Sequence, residues 1–104
     1  MLAKIEAMPE PYRTIGTRLH EIIRANAPSL LPRTWYGLPA YAREKDVVCF
    51  FRGPNVFGER YLTLGFNDSA NLDDGRMWAV QFAVKELTPA DEARIAALVR
   101  RAVG

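Results

Sequence analysis

The chain predicts an α+β domain: an antiparallel sheet of four to five strands, with N-terminal and C-terminal helices packed on one face. Three observations carry this reading. Three strand-forming runs follow one another closely, at residues 35–41, 47–51 and 60–66. An amphipathic helical pattern precedes them, and a second one closes the chain. Helices that flank a run of strands, instead of alternating with them, belong on one side of an antiparallel sheet.

The first helix is predicted over residues 9–26, where Tyr12, Ile15, Leu19, Ile22 and Ile23 recur at three- and four-residue spacing. Pro9 or Pro11 suits its first turn, Asn26 suits a left-handed cap, and Pro28 forbids continuation. Each of its four aliphatic side chains contributes about 1.5–3 kcal/mol when fully buried, so the face needs a partner, most simply a sheet. Residues 1–8 carry no assigned element and are expected to be the flexible lead-in to a single domain spanning 1–104.

A single turn at 29–32 leads into a strand at 33–36. Gly37 allows the backbone to turn. Pro39 cannot donate to a ladder and belongs at an edge, a strand start or a bulge. Residues 43–46 are a polar hairpin tip, 47–52 the most apolar strand, and 53–55 the start of a loop. Residues 60–66 form the next strand, 67–75 a polar loop, and 77–85 the last strand. The closing helix has Thr88 as N-cap, Pro89 at its first position, and Asp91 and Glu92 at the positive end of the dipole. Ile95, Leu98, Val99 and Ala102 make its buried stripe, with Arg100 and Arg101 at the negative end.

Alternation in the last two strands separates two faces. Leu62, Leu64 and Phe66 share one side, as do Val80, Phe82 and Val84. The other side holds Tyr61, Thr63 and Gly65, with Ala79, Gln81 and Ala83. A merely solvated face would alternate with charged side chains. This one is small, weakly polar and aromatic, so it either packs on something or binds something.

Composition narrows the function classes. At 49% apolar and 25% charged, the sequence is ordinary for a globular domain and unlike a disordered one. Its 14 basic and 12 acidic residues are interspersed and sum to +2, without the basic stripe of a nucleic-acid binder. No apolar run reaches the ~20 residues needed to span a bilayer, and charge interrupts the N-terminus where a signal peptide needs its apolar stretch. A cytoplasmic location is expected.

Individual residues carry weak chemistry. Cys49 is the lone cysteine, which excludes an internal disulfide and a cysteine zinc site, and its apolar strand predicts a small buried hydrophobe. His20 sits at the edge of the first helix's apolar face with no carboxylate or nucleophile nearby in sequence, which favours a structural hydrogen bond over a general base. Asp68, Asp73 and Asp74 form the one dense carboxylate group, but Asp and Asn beside Gly75 are also turn builders, and the spacing is not that of a calcium loop. The aromatics Trp35, Tyr36, Tyr41, Tyr61 and Trp78 either complete the core or line a binding surface.

The segment Tyr36-Gly37-Leu38-Pro39-Ala40-Tyr41, followed by Val48-Cys49-Phe50-Phe51 and closed by the 87–103 helix, resembles the YdhG-like family of small bacterial domains. The resemblance covers roughly residues 15–103. That family is largely of unknown function, its fold is similar to frataxin, and one branch is described as an intracellular iron chaperone. The chain departs from the commoner family pattern at Arg52-Gly53-Pro54-Asn55, where a Lys/His and Gly-Phe-Tyr-Pro stretch is usual. Iron delivery on such a fold implies clustered carboxylates along the first helix. Here Glu10 and Glu21 alternate with Arg13, Arg18 and Arg24, which repel a cation.

The expected function is therefore non-enzymatic, since no nucleophile–base pair or phosphate-cradling loop is visible. A binding or chaperone-like domain is expected to use the uncovered sheet face for a protein, a small molecule or a second copy in a homodimer. Tyr36, Tyr41, Tyr61 and Gln81 would supply contacts, and Arg52 a charge-assisted bond to an anionic group. No cofactor, nucleic acid or membrane is expected. The alternative is an iron-binding metallochaperone using Asp68, Asp73 and Asp74.

Overall fold

The computed structural model describes residues 1–54 and 58–104. In chain order its elements are α1 (Leu2–Glu6), α2 (Tyr12–Asn26), β1 (Leu31–Trp35), β2 (Leu38–Arg43), β3 (Asp46–Arg52), β4 (Leu62–Phe66), β5 (Gln81–Val84) and α3 (Pro89–Val103). The strands form one antiparallel meander in the order β1-β2-β3-β4-β5. The loop predicted from residue 53 runs into Asn55, Val56 and Phe57, which lie outside the described residues.

Side-chain periodicity explains why the helices gather on one side. Ile15, Leu19, Ile22 and Ile23 of α2 and Ile95, Val99 and Ala102 of α3 bury against Tyr41, Phe51, Leu62, Leu64, Phe66 and Val84 of the sheet. The N-terminus differs from expectation. Residues 1–8 include the short helix α1, and Ile5 and Met8 are buried in this same core. Gly16 makes the fit close, because a Cβ there would lie 3.2 Å from Ile5 Cγ2 and 3.3 Å from Phe51 Cε2.

Helix ends are satisfied by side chains, not all of them foreseen. At α3, Thr88 is the N-cap that the sequence predicts, and the structure adds a reciprocal bond: Thr88 Oγ1 accepts the Asp91 N–H (3.2 Å) while Asp91 Oδ2 accepts the Thr88 N–H (3.0 Å), a capping box. The bonds from Thr88 hold the Asp91 carboxyl below its ordinary range. At α2 neither Pro9 nor Pro11 falls inside the first turn, because the helix starts at Tyr12. Glu10 instead accepts the Thr14 N–H (2.9 Å), and that bond lowers its carboxyl pKa. Asn26 stays helical: its amide donates to the Ile22 carbonyl (2.8 Å) and accepts from Arg100 (2.7 Å), linking the two long helices.

Two strand boundaries are corrected. β1 begins at Leu31 and includes Pro32, a residue tolerated because β1 is an edge strand. The last strand is only Gln81–Val84, since β4 ends at Phe66 and leaves little ladder for residues 77–80. Between β2 and β3 the register passes from Tyr41↔Cys49 to Ala42↔Val47, so Val48 is an extra residue. That bulge lets both Val48 and Cys49 face the helices, while Val47 joins the opposite side.

The polar loop 67–75 is a structural strap. Asn67 Nδ2 and Ser69 Oγ both donate to the Val47 carbonyl (3.1 Å each), and Ala70 and Leu72 are buried. Asn71 then reaches α3: its N–H donates to the Ala102 carbonyl (2.9 Å) and its side chain to that of Gly104 (3.0 Å). Arg43 at the end of β2 donates to the Val103 carbonyl (2.9 Å). These bonds occupy carbonyls that a helix C-terminus leaves without intrahelical donors.

Candidate functional site

All described helices lie on one sheet face, so the outer face is the candidate surface. Cross-strand register places its residues in rows. One row reads Arg33–Ala40–Phe50–Gly65–Gln81, and the next reads Trp35–Leu38 at one end and Arg52–Thr63–Ala83 at the other. The middle of this face is closed by its own side chains. Phe50 is 5% exposed and its ring lies across Gly65, whose added Cβ would come within 2.4 Å of Phe50 Cζ. Trp35 packs on the Phe50 ring at 5.2 Å, and Ala40, Ala42, Val47 and Thr63 are buried around them. A continuous open face is therefore corrected to two accessible margins, one along β1 and one along β5.

Tyr36 stands at the β1 margin. Trp35 pairs with Leu38, so Tyr36 and Gly37 form a two-residue hairpin loop with φ of +49° and +76°. Positive φ at both positions is the pattern of a type I′ turn, whose twist matches the flanking strands and which favours Asn-Gly or Gly-Gly. Tyrosine meets a steric penalty there, since left-handed backbone crowds Cβ. The residue is 86% exposed, and its ring centroid lies 4.9 Å from that of Trp35 in an edge-on arrangement.

Tyr41 is misplaced by the sequence argument. It is fully buried on the helix side, because Pro32↔Tyr41↔Cys49 is a helix-side row. Its hydroxyl shares a 2.8 Å hydrogen bond with His20 Nδ1, and burial raises the phenol well above the ordinary tyrosine range. His20 is thus bonded structurally, as its boundary position implies. Burial first, then the Arg24 charge, lowers its pKa, with Glu21 opposing. Burial pushes the Cys49 thiol up to about 12, so it is a poor nucleophile.

Arg52 does lie on the outer face, but its Nη2 is 2.7 Å from Glu59 Oε2, with both side chains mostly buried. The anionic partner expected from outside is supplied by the chain itself. Glu59 gives no signal in the sequence, because it approaches through a loop and not at a strand or helix spacing. Tyr61 is half-buried just before β4, with the Arg60 guanidinium 5.7 Å from its ring centre. Gln81 is exposed on β5. With β1 and β5 separated by four strand spacings, about 19 Å, Tyr36 and Gln81 cannot serve one small-molecule pocket.

Asp68, Asp73 and Asp74 are exposed, and among the described residues no three carboxylate, histidine or cysteine groups gather to hold a metal. The loop's demonstrated bonds serve the strap instead. An open groove of about 980 Å³ that the sequence does not reveal lies beside α2 and the start of α3, lined by Glu10, Arg13, Arg18, Glu21, Lys85 and Glu92 among others. Arg18 there is paired with Glu92 (2.7 Å) and Glu21 (3.5 Å). Such exposed pairs contribute little, and the groove offers no convergent set of groups toward a substrate.

No protein-family model, curated protein or solved structure matches this chain. Among the described residues, no helix is long and apolar enough to cross a membrane.

Proposed function

We propose that this is a non-enzymatic binding domain that docks a partner protein through the β1 margin of its outer sheet face, with Tyr36 as the anchor. The observation that carries the reading is Tyr36 itself. A hairpin tip needs no aromatic side chain, and the left-handed backbone disfavours one. Strained, exposed positions of this kind cluster at functional sites. Tyrosine is also enriched among residues that dominate binding energy, because its large ring loses little conformational freedom. Trp35 and Phe50 beneath it form a rigid base, and Leu31 adds apolar surface at 66% exposure.

We also propose kinship with the YdhG-like domains. On this structure the Tyr36–Tyr41 motif has a folding rationale at every position but Tyr36. Gly37 takes the second left-handed position of the turn, Leu38 packs on the outer-face cluster, Pro39 and Ala40 are buried in β2, and Tyr41 bonds His20. Affinity capture tests the binding reading. A protein retained by the wild type and lost on folded Tyr36→Asn supports it; equal retention by both, or retention by neither, ends it.

A further inference from the structure

The two sheet edges are protected very differently. β1 carries Pro32, which has no N–H to offer, and Arg33. Those are two of the devices by which natural edges avoid pairing. At the other edge, Met77-Trp78-Ala79-Val80-Gln81-Phe82-Ala83-Val84 contains no charge and no proline. Met77 is 89% exposed, Trp78 39% and Val80 40%, an unusual amount of apolar surface beside a free strand. The Phe66 N–H donates to the Val80 carbonyl (2.8 Å). Antiparallel alternation then turns the N–H and C=O groups of Gln81 and Ala83 away from β4 and toward solvent.

We infer that the edge formed by β5 and the residues 77–80 that lead into it pairs antiparallel with the same edge of a second copy, joining two five-stranded sheets into one of ten strands. The inference concerns a different margin from Tyr36 and does not depend on the binding reading. A two-fold axis normal to the sheet keeps both helix layers on one side and brings the same strand together from each copy. Such pairing requires residues with outward-facing backbone groups to oppose one another, so the paired numbers must sum to an even value.

Charge selects one register. Centring the pair on Gln81 sets Gln81 opposite Gln81, Ala79 opposite Ala83, Val80 opposite Phe82 and Trp78 opposite Val84. Arg76, in the turn before this edge, and Glu86, past the bend at Lys85, then lie at matching ends of the paired segment, so that Arg76 of each copy meets Glu86 of the other. Arg76 and Glu86 are both exposed, and neither makes an ion pair among the described residues. A shift toward the N-terminus would instead set Asp74 against Glu86, and a shift the other way would set Trp78 against Glu86. Met77 then faces Lys85, and the Gln81-centred register is the one of these that brings Arg76 to Glu86 while keeping residues 78–84 apolar against apolar or Gln81 against Gln81.

Sedimentation velocity across a concentration series tests this, with circular dichroism to confirm folding. The wild type is expected to dimerise. Gln81→Pro removes an N–H that faces away from β4, so it should leave a folded monomer. Arg76→Glu should weaken the dimer about tenfold at low salt, since two cross-strand pairs turn repulsive, and Arg76→Glu/Glu86→Arg should restore it. Slowed amide exchange at Gln81 and Ala83 in the dimer would confirm the edge. A wild type that stays monomeric at millimolar concentration, a dimer unaffected by Gln81→Pro, or a charge swap that fails to restore association would each overturn the proposal.

Discussion

Gly65→Ala probes how the outer face is closed. The added Cβ would sit 2.4 Å from Phe50 Cζ and 2.7 Å from its Cε1. Carbon atoms at optimal separation lie roughly 3.5–4.0 Å apart, so the ring must move by about 1 Å or more. Its way out is blocked by Trp35 at 5.2 Å, and Phe50 is 5% exposed. Overpacking of this kind costs about 1–3 kcal/mol. Replacing glycine also returns roughly 0.4–1 kcal/mol by restricting the unfolded chain. The net expectation is a loss of about 1–2 kcal/mol, which for a domain of this size lowers Tm by roughly 5–15 °C. Thermal and urea unfolding measure it directly. The double variant Gly65→Ala/Phe50→Leu should lose less than the sum of its parts, because Phe50→Leu removes the atoms that clash. A Gly65→Ala protein as stable as the wild type would refute the packing of Phe50 over this glycine.

Two further expectations concern the buried helix-side groups. His20 should titrate below its ordinary value, because burial first and then Arg24 disfavour the imidazolium; Glu21 on the same helix acts in the opposite sense. With the folded value depressed, its contribution to stability is complete above the ordinary histidine value and is lost progressively as pH falls from there through the lower folded value. An NMR titration of the His20 ring with a midpoint above that of a free histidine would contradict this. Cys49, with its thiol pushed up to about 12 by burial, should resist a thiol reagent at pH 8 in the native state and react on unfolding. Rapid native labelling would show that the strand opens locally.

Legibility in the sequence followed the strength of local signals. α3 was readable because Thr88, Pro89 and Asp91 agree at one terminus and Ile95, Val99 and Ala102 at one spacing. The central strands were readable from apolar runs and the polar tip between Arg43 and Asp46. α1 was not, since five residues are too few to show a period, and Ile5 and Met8 are held by tertiary contact with Gly16 and its neighbours.

The site was less legible than the fold. Alternation puts Gln81 on the exposed outer face, but Tyr36 reads as the end of the strand 33–36, whereas it forms the hairpin turn with Gly37. Tyr41 is misplaced, because the proline and bulge around it hide which way the strand faces. Arg52 looked available because its partner Glu59 arrives through a loop. The closure of the outer face depends on one ring lying over one glycine, a tertiary choice that strand periodicity does not encode.

The central claim is that Tyr36 serves recognition at the expense of the hairpin. Its most direct test is the urea midpoint of Tyr36→Asn, measured beside capture of the partner. Asparagine tolerates positive φ, so relief of about 1 kcal/mol should offset the lost edge-on contact with Trp35, about 0.5–1.5 kcal/mol. Stability within about 1 kcal/mol of the wild type, together with lost capture, is the predicted result. A variant that unfolds at much lower urea, or that keeps its partner, would contradict the account.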